Sequence, residues 1–325
     1  MNWNEGITSS YYLTGVDPAS WLDREKTDIV SGSVDYEETG LRGSAALSTL
    51  EPVTGWVRIY LDALQVGLSH TPLFTGIATT PEVSIDGQRS EYSVTIYSVL
   101  YPAKAKLPLG YYVAKGADIP NAVKDLLSVT PAPVDVADVD HPLLTDHILA
   151  ESGDSRLDMV DKLLKIADWR LIVNGDGTIE LVPKNEDTVR TIGQEYDMLD
   201  LQATITDDVF EIPNCLRCIS GSEAAEAKDE DTEDPLSIPS RGFEIWQQED
   251  NVTLSNTESL AQYTERRLKE LQTHAASISY TRRYDPEIRL GDLIELTYDK
   301  INGIYKVTES SYEIGGRVSE KAVKV

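Results

Sequence analysis

Cys215 and Cys218 are the only cysteines in the chain, and their CxxC spacing is that of a redox pair or of half a zinc site. A structural zinc needs four ligands, and no second pair exists. A redox pair belongs where a strand enters a helix. Here the surrounding Asn214–Ile219 stretch is apolar and strand-like, and strand positions three apart face opposite sides. The two residues read as ordinary reduced thiols. His141 and His147 share a loop with Asp138, Asp140 and Asp146, a donor set that could hold a divalent metal. Nothing in that proline- and leucine-containing loop fixes ligand geometry, so solvated loop residues are expected. Glycoside hydrolysis needs two carboxylates at a set separation, one with a raised pKa. With 55 acidic residues, no pair stands out. The 16 tyrosines fall mostly on strand-like runs, where β-propensity accounts for them. The phosphate loop GxxxxGK[ST], the dinucleotide fingerprint GxGxxG, the zinc-protease HExxH and the nucleophile elbow GxSxG are all absent. The expectation is a protein that is not an enzyme, with no catalytic residue, cofactor or resident metal.

The net charge of −26, with a pI near 4.4, repels nucleic acid and anionic lipid at long range. It serves solubility, or it forms a surface that DNA passes without sticking. No apolar run approaches the ~18 residues of a membrane span. The N-terminus lacks the basic and apolar regions of a signal peptide.

The elements that carry these residues are mainly β. Residues from about 29 to 100 read as consecutive strands, with alternation at Val57, Ile59 and Leu61, and at Tyr92, Val94, Ile96 and Ser98. Asp86-Gly87 signals a hairpin. After Pro102 the pattern predicts a short helix at about 119–128 and a second at about 155–168, opened by a Ser155/Asp158 capping box. A hairpin over 169–183 follows, turning at Asn174-Gly175-Asp176-Gly177. Residues 222–240 are crowded with acids and read as a mobile loop. An EF-hand order is absent there. Ser255 and Glu258 are read as the cap of a helix at about 256–274, before the chain returns to β. Three segments result: 1–102, a first β-barrel; 103–185, a small α+β insertion; and 186–325, a second barrel carrying the last helix and the acidic loop.

Two stretches echo each other. Gly55-Trp56-Val57-Arg58-Ile59-Tyr60-Leu61-Asp62 precedes Gly76-Ile77. Leu290-Gly291-Asp292-Leu293-Ile294-Glu295-Leu296 precedes Gly303-Ile304-Tyr305. In each, a glycine opens an apolar strand and a Gly-Ile pair starts its return, with a longer excursion at 63–75 in the first copy. With the order barrel, α+β insertion, barrel, the chain resembles the tail or baseplate hub proteins of contractile phages, defective prophages and phage-derived injection machines. Stretches 44–62, 155–182 and 289–312 carry the resemblance.

The resemblance implies a homotrimer whose two related barrels present six similar surfaces, so that a threefold hub mates with a sixfold tail tube. It implies a location in the virion tail or baseplate, assembled in the host bacterial cytoplasm. The implied partners are a tail-tube or distal-tail hexamer, a spike or tip protein, a tape-measure protein and other baseplate proteins. DNA would be met only in transit, with no membrane insertion. The candidate tube-matching residues are Gly55, Arg58, Tyr60, Gly76, Gly291, Asp292, Glu295, Gly303 and Tyr305. No domain is expected beyond Val325, which favours a compact hub with a separate spike. The rival readings are a tail-tip cell-wall hydrolase and a host-surface carbohydrate-binding module.

Overall fold

A computed structural model describes residues 9–64, 67–86, 89–184, 187–193, 200–207, 210–272, 276–298, 301–315 and 317–325. The first unit contains β1 (Ser10–Val16), β2 (Asp23–Glu37), β3 (Ser44–Thr49), β4 (Gly55–Ala63), β5 (Leu68–Ala78), β6 (Glu82–Asp86) and β7 (Arg89–Ser98). Its pairing order is β1-β4-β5-β7-β3-β2, and β1 also pairs β2, so the path returns on itself. Every pairing in it is antiparallel. Alternating side chains fill the centre: Leu13, Val34, Leu47, Val57, Ile59, Leu61, Val94 and Ile96 form one buried cluster. The alternation read at 57–61 and 94–98 is therefore the core face. The Gly87 half of the Asp86-Gly87 signal lies outside the described residues, but the strands on either side of it do pair.

The insertion holds β8 (Tyr112–Val113), α1 (Ile119–Leu127), β9 (Val134–Val136), β10 (Ile148–Leu149), α2 (Arg156–Ala167), β11 (Trp169–Val173) and β12 (Ile179–Pro183). Both expected helices are present. Ser155 and Asp158 form the expected capping box, and Asp118 caps α1. Leu157, Val160 and Leu164 bury the stripe of α2 against α1 and the β11–β12 hairpin. That core draws in Val99, Leu100 and Ala103, so it begins just before the expected boundary at 103.

The remaining chain forms β13 (Thr188–Gly193), β14 (Asp200–Asp207), β15 (Cys215–Ser220), β16 (Glu223–Lys228), α3 (Ile238–Arg241), β17 (Trp246–Glu249), α4 (Leu260–Gln272), β18 (Ala276–Arg282), β19 (Leu293–Tyr298), β20 (Ile301–Glu313) and β21 (Val318–Lys324). Six of these strands pair in the order β13-β19-β20-β21-β18-β14. Taken in chain order, this sequence of neighbours repeats that of β1, β2, β3, β4, β5 and β7. Two pairings depart: β13 runs parallel to β19, whereas β1 runs antiparallel to β4, and the closing β1–β2 pairing has no β13–β14 counterpart among the described residues. The two sets join where β20 pairs β2, from Ser33 opposite Glu313 to Glu37 opposite Glu309. Tyr312 and Val318 bury themselves in the first unit's core.

Four expectations need correction. Residues 222–240 are not a loose loop. Residues 223–228 are β16, whose small alanines let it lie against α4, with Ala227 in the shared core. Beyond it, acidic side chains act as local turn acceptors: Asp229 for the Asp231 amide, Asp231 for Glu233, and Asp234 for Leu236. The last helix does not pack in the six-strand set of its own segment. It covers the separate β16-β15-β17 sheet, with Leu216, Cys218, Tyr263 and Leu268 between them. Its cap is Ser259 rather than Ser255: the Gln262 amide donates to Ser259 Oγ at 3.3 Å, and Gln262 Oε1 accepts from the Ser259 amide at 2.9 Å. Nor is 63–75 a long excursion, since β5 is paired from Leu68 onward.

Among the described residues, no helix is long and apolar enough to cross a membrane. Replacing Ser259 with alanine should destabilise α4 by about 1 kcal/mol. Faster amide exchange in the first turn of α4, absent from a Ser255→Ala protein, would show it.

Candidate functional site

The β11–β12 hairpin touches both six-strand sets, and its residues are the best-organised polar cluster in the chain. Its turn rests on the outer face of β4 and β5. Arg58, on that face, is buried and donates from Nη2 to the Asp176 carbonyl (2.9 Å), from Nη1 to Asp23 Oδ1 (2.8 Å) and from Nε to Thr75 Oγ1 (3.1 Å). Thr75 Oγ1 passes its own proton to the Gly175 carbonyl at 2.7 Å. Trp21 Nε1 donates to the Asp176 carbonyl at 3.0 Å. The turn approaches closely enough that a Cβ on Gly175 would lie 2.0 Å from the Pro72 carbonyl oxygen. Glycine at 175 is thus required by contact between two backbones.

The opposite end of the hairpin reaches the second set. Arg170 Nη1 meets Asp292 Oδ1 at 2.9 Å, while Asp292 Oδ2 accepts from the Arg289 amide at 2.9 Å. Arg289 in turn lies 3.5 Å from Glu180 on β12. Asp292 stands immediately before β19, the counterpart of β4 in strand order. One hairpin therefore clamps the two sets, at the middle of β4 in the first and just ahead of β19 in the second. A cavity of about 620 Å³ lies beside it, lined by Arg42, Leu73, Trp169, Arg170, Tyr284 and Lys306 among others. Its cations are paired: Arg42 with Asp161, Arg170 with Asp292, Lys306 with Glu38.

The nine candidate tube-matching residues are not brought together as one surface. Arg58, Gly291 and Asp292 belong to the hairpin clamp; Gly291 has φ +79° and approaches Arg170. Tyr60 is buried, donates to Asp23 Oδ2 at 2.5 Å, and stacks on Tyr12 and His70. Burial first, and then the Asp62 charge, push the Tyr12 phenol up to about 12. Gly76 is covered, with the Tyr97 carbonyl 2.1 Å from where a Cβ would sit. Tyr305 lies in the second core. Glu295 accepts from Thr191 Oγ1 at 2.8 Å. Gly55 is exposed and Gly303 is half-buried. The two Gly-Ile pairs also sit out of step: Gly76 faces Val57, two residues after Gly55, whereas Gly303 faces Leu296, five after Gly291.

The other chemistry-bearing residues are dispersed. Cys215 and Cys218 are free and buried on β15, and burial pushes both thiols up. Among the described residues, no group of His, Cys, Asp and Glu is placed to hold a metal. His147 pairs only with its neighbour Asp146. His141 leaves the loop for Asp118, with Nδ1 2.8 Å from that carboxylate and Nε2 3.2 Å from the Ala137 carbonyl. Both partners are acceptors, so the imidazolium, with a proton on each ring nitrogen, is the form that satisfies both contacts. Sequence spacing could not disclose this pair, because Asp118 serves α1 as its cap from 23 residues away.

The hydrogen bond that His141 donates to Asp118 raises the His141 pKa. Burial pushes the Asp118 carboxyl up, but bonds from the Asn121 amide and His141 outweigh it and leave its pKa lowered. The signs follow. A raised histidine pKa stabilises the fold below its unfolded value, and that stability fades as pH rises through the folded value. A lowered carboxylate pKa stabilises above its unfolded value and fades as pH falls through the folded one. The pair is therefore at full strength in the mildly acidic window between the two unfolded values. An NMR titration should place the His141 midpoint above the ordinary ~6.5. Asp118→Asn should bring it down.

The hairpin clamp gives a second expectation. Gly175→Ala should cost about 3 kcal/mol, because backbone cannot yield to the new methyl. Arg58→Met should cost a similar ~3 kcal/mol by removing the buried cation that pairs with Asp23, which then keeps only the Tyr60 hydroxyl as the Asp176 carbonyl keeps only Trp21. Gly110→Ala, in open space at φ +77°, should cost only about 1–2 kcal/mol. Urea melts would rank the three.

Neither a family model nor a curated protein matches the chain. Solved structures do match it along almost its whole length. A tail protein from Neisseria meningitidis MC58 aligns with a TM-score of 0.72 at 12% identity, over 97% of this chain and 96% of that one. The 43 kDa tail protein of prophage MuSo2 from Shewanella oneidensis aligns at 0.66 and 13%, over 97% and 96%. A type VI secretion component from E. coli, itself described as structurally similar to phage T4 tail proteins, aligns at 0.53 and 10%, over 92% and 74%. At these identities the likeness speaks for the fold, and the fold of this chain is that of phage tail proteins.

Proposed function

We propose that the chain is a structural, non-enzymatic hub of a tail or tail-derived injection machine. In this reading each six-strand set is a small β-barrel, and the two barrels are copies of one module. The observation that carries it is the repeated neighbour order, β1-β4-β5-β7-β3-β2 against β13-β19-β20-β21-β18-β14, within one continuous sheet. A subunit that carries its binding module twice can form a threefold ring with six similar faces, and such a ring adapts a sixfold tube to a threefold spike or tip. The fold shared with tail proteins supports the same reading. The ring would enclose part of the channel for DNA or the tape-measure protein, and the excess of acids would keep DNA from sticking there.

The placement of the candidate residues refines the tube interface. Arg58, Asp292 and Tyr305 are occupied within the subunit, so the tube would meet the barrels through backbone edges and exposed positions such as Gly55. Substituting exposed positions should impair assembly while leaving folding intact.

Imaging of purified particles containing the chain tests the proposal. Three copies at the tube end are expected, with no cell-wall clearing by the isolated protein in a zymogram. Six copies, a position away from the tube axis, or hydrolysis abolished by a single carboxylate substitution would overturn it.

A further inference from the structure

Among the described residues, every strand of the first unit pairs on both sides except β6, whose sole partner is β7. All five of its residues are exposed. An exposed strand with an open side is a template for another strand, and proteins ordinarily blunt it. Register makes the ribbon two-faced. Val83 lies opposite Tyr92 and Ile85 opposite Ser90, while Glu82 lies opposite Ser93 and Ser84 opposite Glu91. Tyr92 is in phase with Val94 and Ile96, which fill the first core. The core-facing side of β7 thus runs out onto the ribbon and meets Val83 and Ile85, which are 52% and 70% exposed. Register places Glu82, Ser84 and Asp86 on the other side, opposite Ser93, Glu91 and Arg89, so Glu82 is the acid of β6 with no basic residue across from it on β7.

A second copy of this chain is a poor occupant. Antiparallel self-pairing centred on Ser84 puts Glu82 of one copy opposite Asp86 of the other, twice, and like charges directly opposite are destabilising. A one-residue shift would set apolar against charged faces. The net charge of −26 on each chain adds repulsion.

We propose that β6 is a docking edge for a strand of a different protein, one with basic residues opposite Glu82 and Asp86 and apolar residues opposite Val83 and Ile85. The required pattern is basic, apolar, any, apolar, basic. It reads alike in both directions, so a parallel or an antiparallel guest fits. Backbone bonds along the edge give the affinity, and the alternate side chains give the choice of guest. The inference rests on strand pairing and charge alone and does not need the hub reading.

The test uses the full chain and a capped synthetic heptapeptide with lysines flanking a valine-threonine-valine centre. NMR titration at low ionic strength should show saturable shifts confined to residues 82–86 and the adjoining part of β7, with slowed amide exchange in β6. The double variant Glu82→Lys, Asp86→Lys should bind this peptide about tenfold more weakly and gain a matching peptide whose lysines are glutamates. Retention of the native spectrum elsewhere in that variant separates lost binding from lost folding. Equal affinity of both proteins for both peptides, shifts centred elsewhere, or no saturable binding would overturn the proposal. So would a concentration-dependent dimer that Ser84→Pro abolishes, which would make the chain its own guest.

Discussion

A guanidinium buried on the outside of a β-sheet needs something to cover it, and Arg58 has the Asn174–Gly177 turn. Without that turn the outer face of β4 and β5 would present a cation and a threonine to water. With it, Arg58 gains the Asp176 carbonyl and Thr75 gains the Gly175 carbonyl. Burying an ion is tolerable only when its donors are satisfied. Correct seating of the insertion is therefore a condition for the first unit's outer face as well as for the hairpin itself. The same hairpin reaches Asp292 through Arg170, so one element ties the strand-turn regions of both six-strand sets into a common frame.

Further attachments reinforce the frame at the far side of the insertion. Leu143 donates to Asn256 and Thr145 to the Leu254 carbonyl, while Lys184 pairs with both Asp168 and Glu270. Burial pushes the Glu270 carboxyl up, but the charges of Lys184 and Arg266 outweigh it and hold it near 2. The α4 unit is thereby held to the insertion by ion pairs. Its own core joins only its helix and its three-stranded sheet.

Much of this frame was legible because it obeys local rules. Alternation marked the core faces of β4 and β7, the Ser155/Asp158 box marked α2, and the glycine-rich turn marked the hairpin. What escaped depends on distant partners. Arg58 and Tyr60 occupy positions that alternation assigns to solvent, and only the insertion and the Tyr12–His70 stack account for their burial. Ser255-x-x-Glu258 and Ser259-x-x-Gln262 are equally plausible caps in sequence. Contacts with Leu143 and Leu144 hold 255–256 in an extended bridge, which leaves Ser259 to start the helix. Acid-rich composition at 222–240 suggested disorder, yet Ala227 and its neighbours supply enough packing against α4 to make a strand. The glycine echo falls on hairpins at equivalent places in strand order but out of register, because its glycines serve different needs: Gly76 meets the Tyr97 backbone, while Gly55 and Gly291 take positive φ.

Strand order is the stronger sign of repetition, since it requires five neighbour pairs to agree, and the insertions into that order carry much of the difference between the two sets. The first set adds β6 between its fifth and sixth strands. The second adds residues 210–272 between its second and third. On the hub reading, a sixfold partner would engage the strands the two copies share, and a threefold partner would engage an addition that only one copy carries. Such a subunit needs no mechanical switch between symmetries. In that reading, repetition of the frame would set one symmetry, and placement of the additions would set the other. The parallel β13–β19 pairing is the point at which the two frames themselves diverge, and contacts there would distinguish the copies even before the additions are considered.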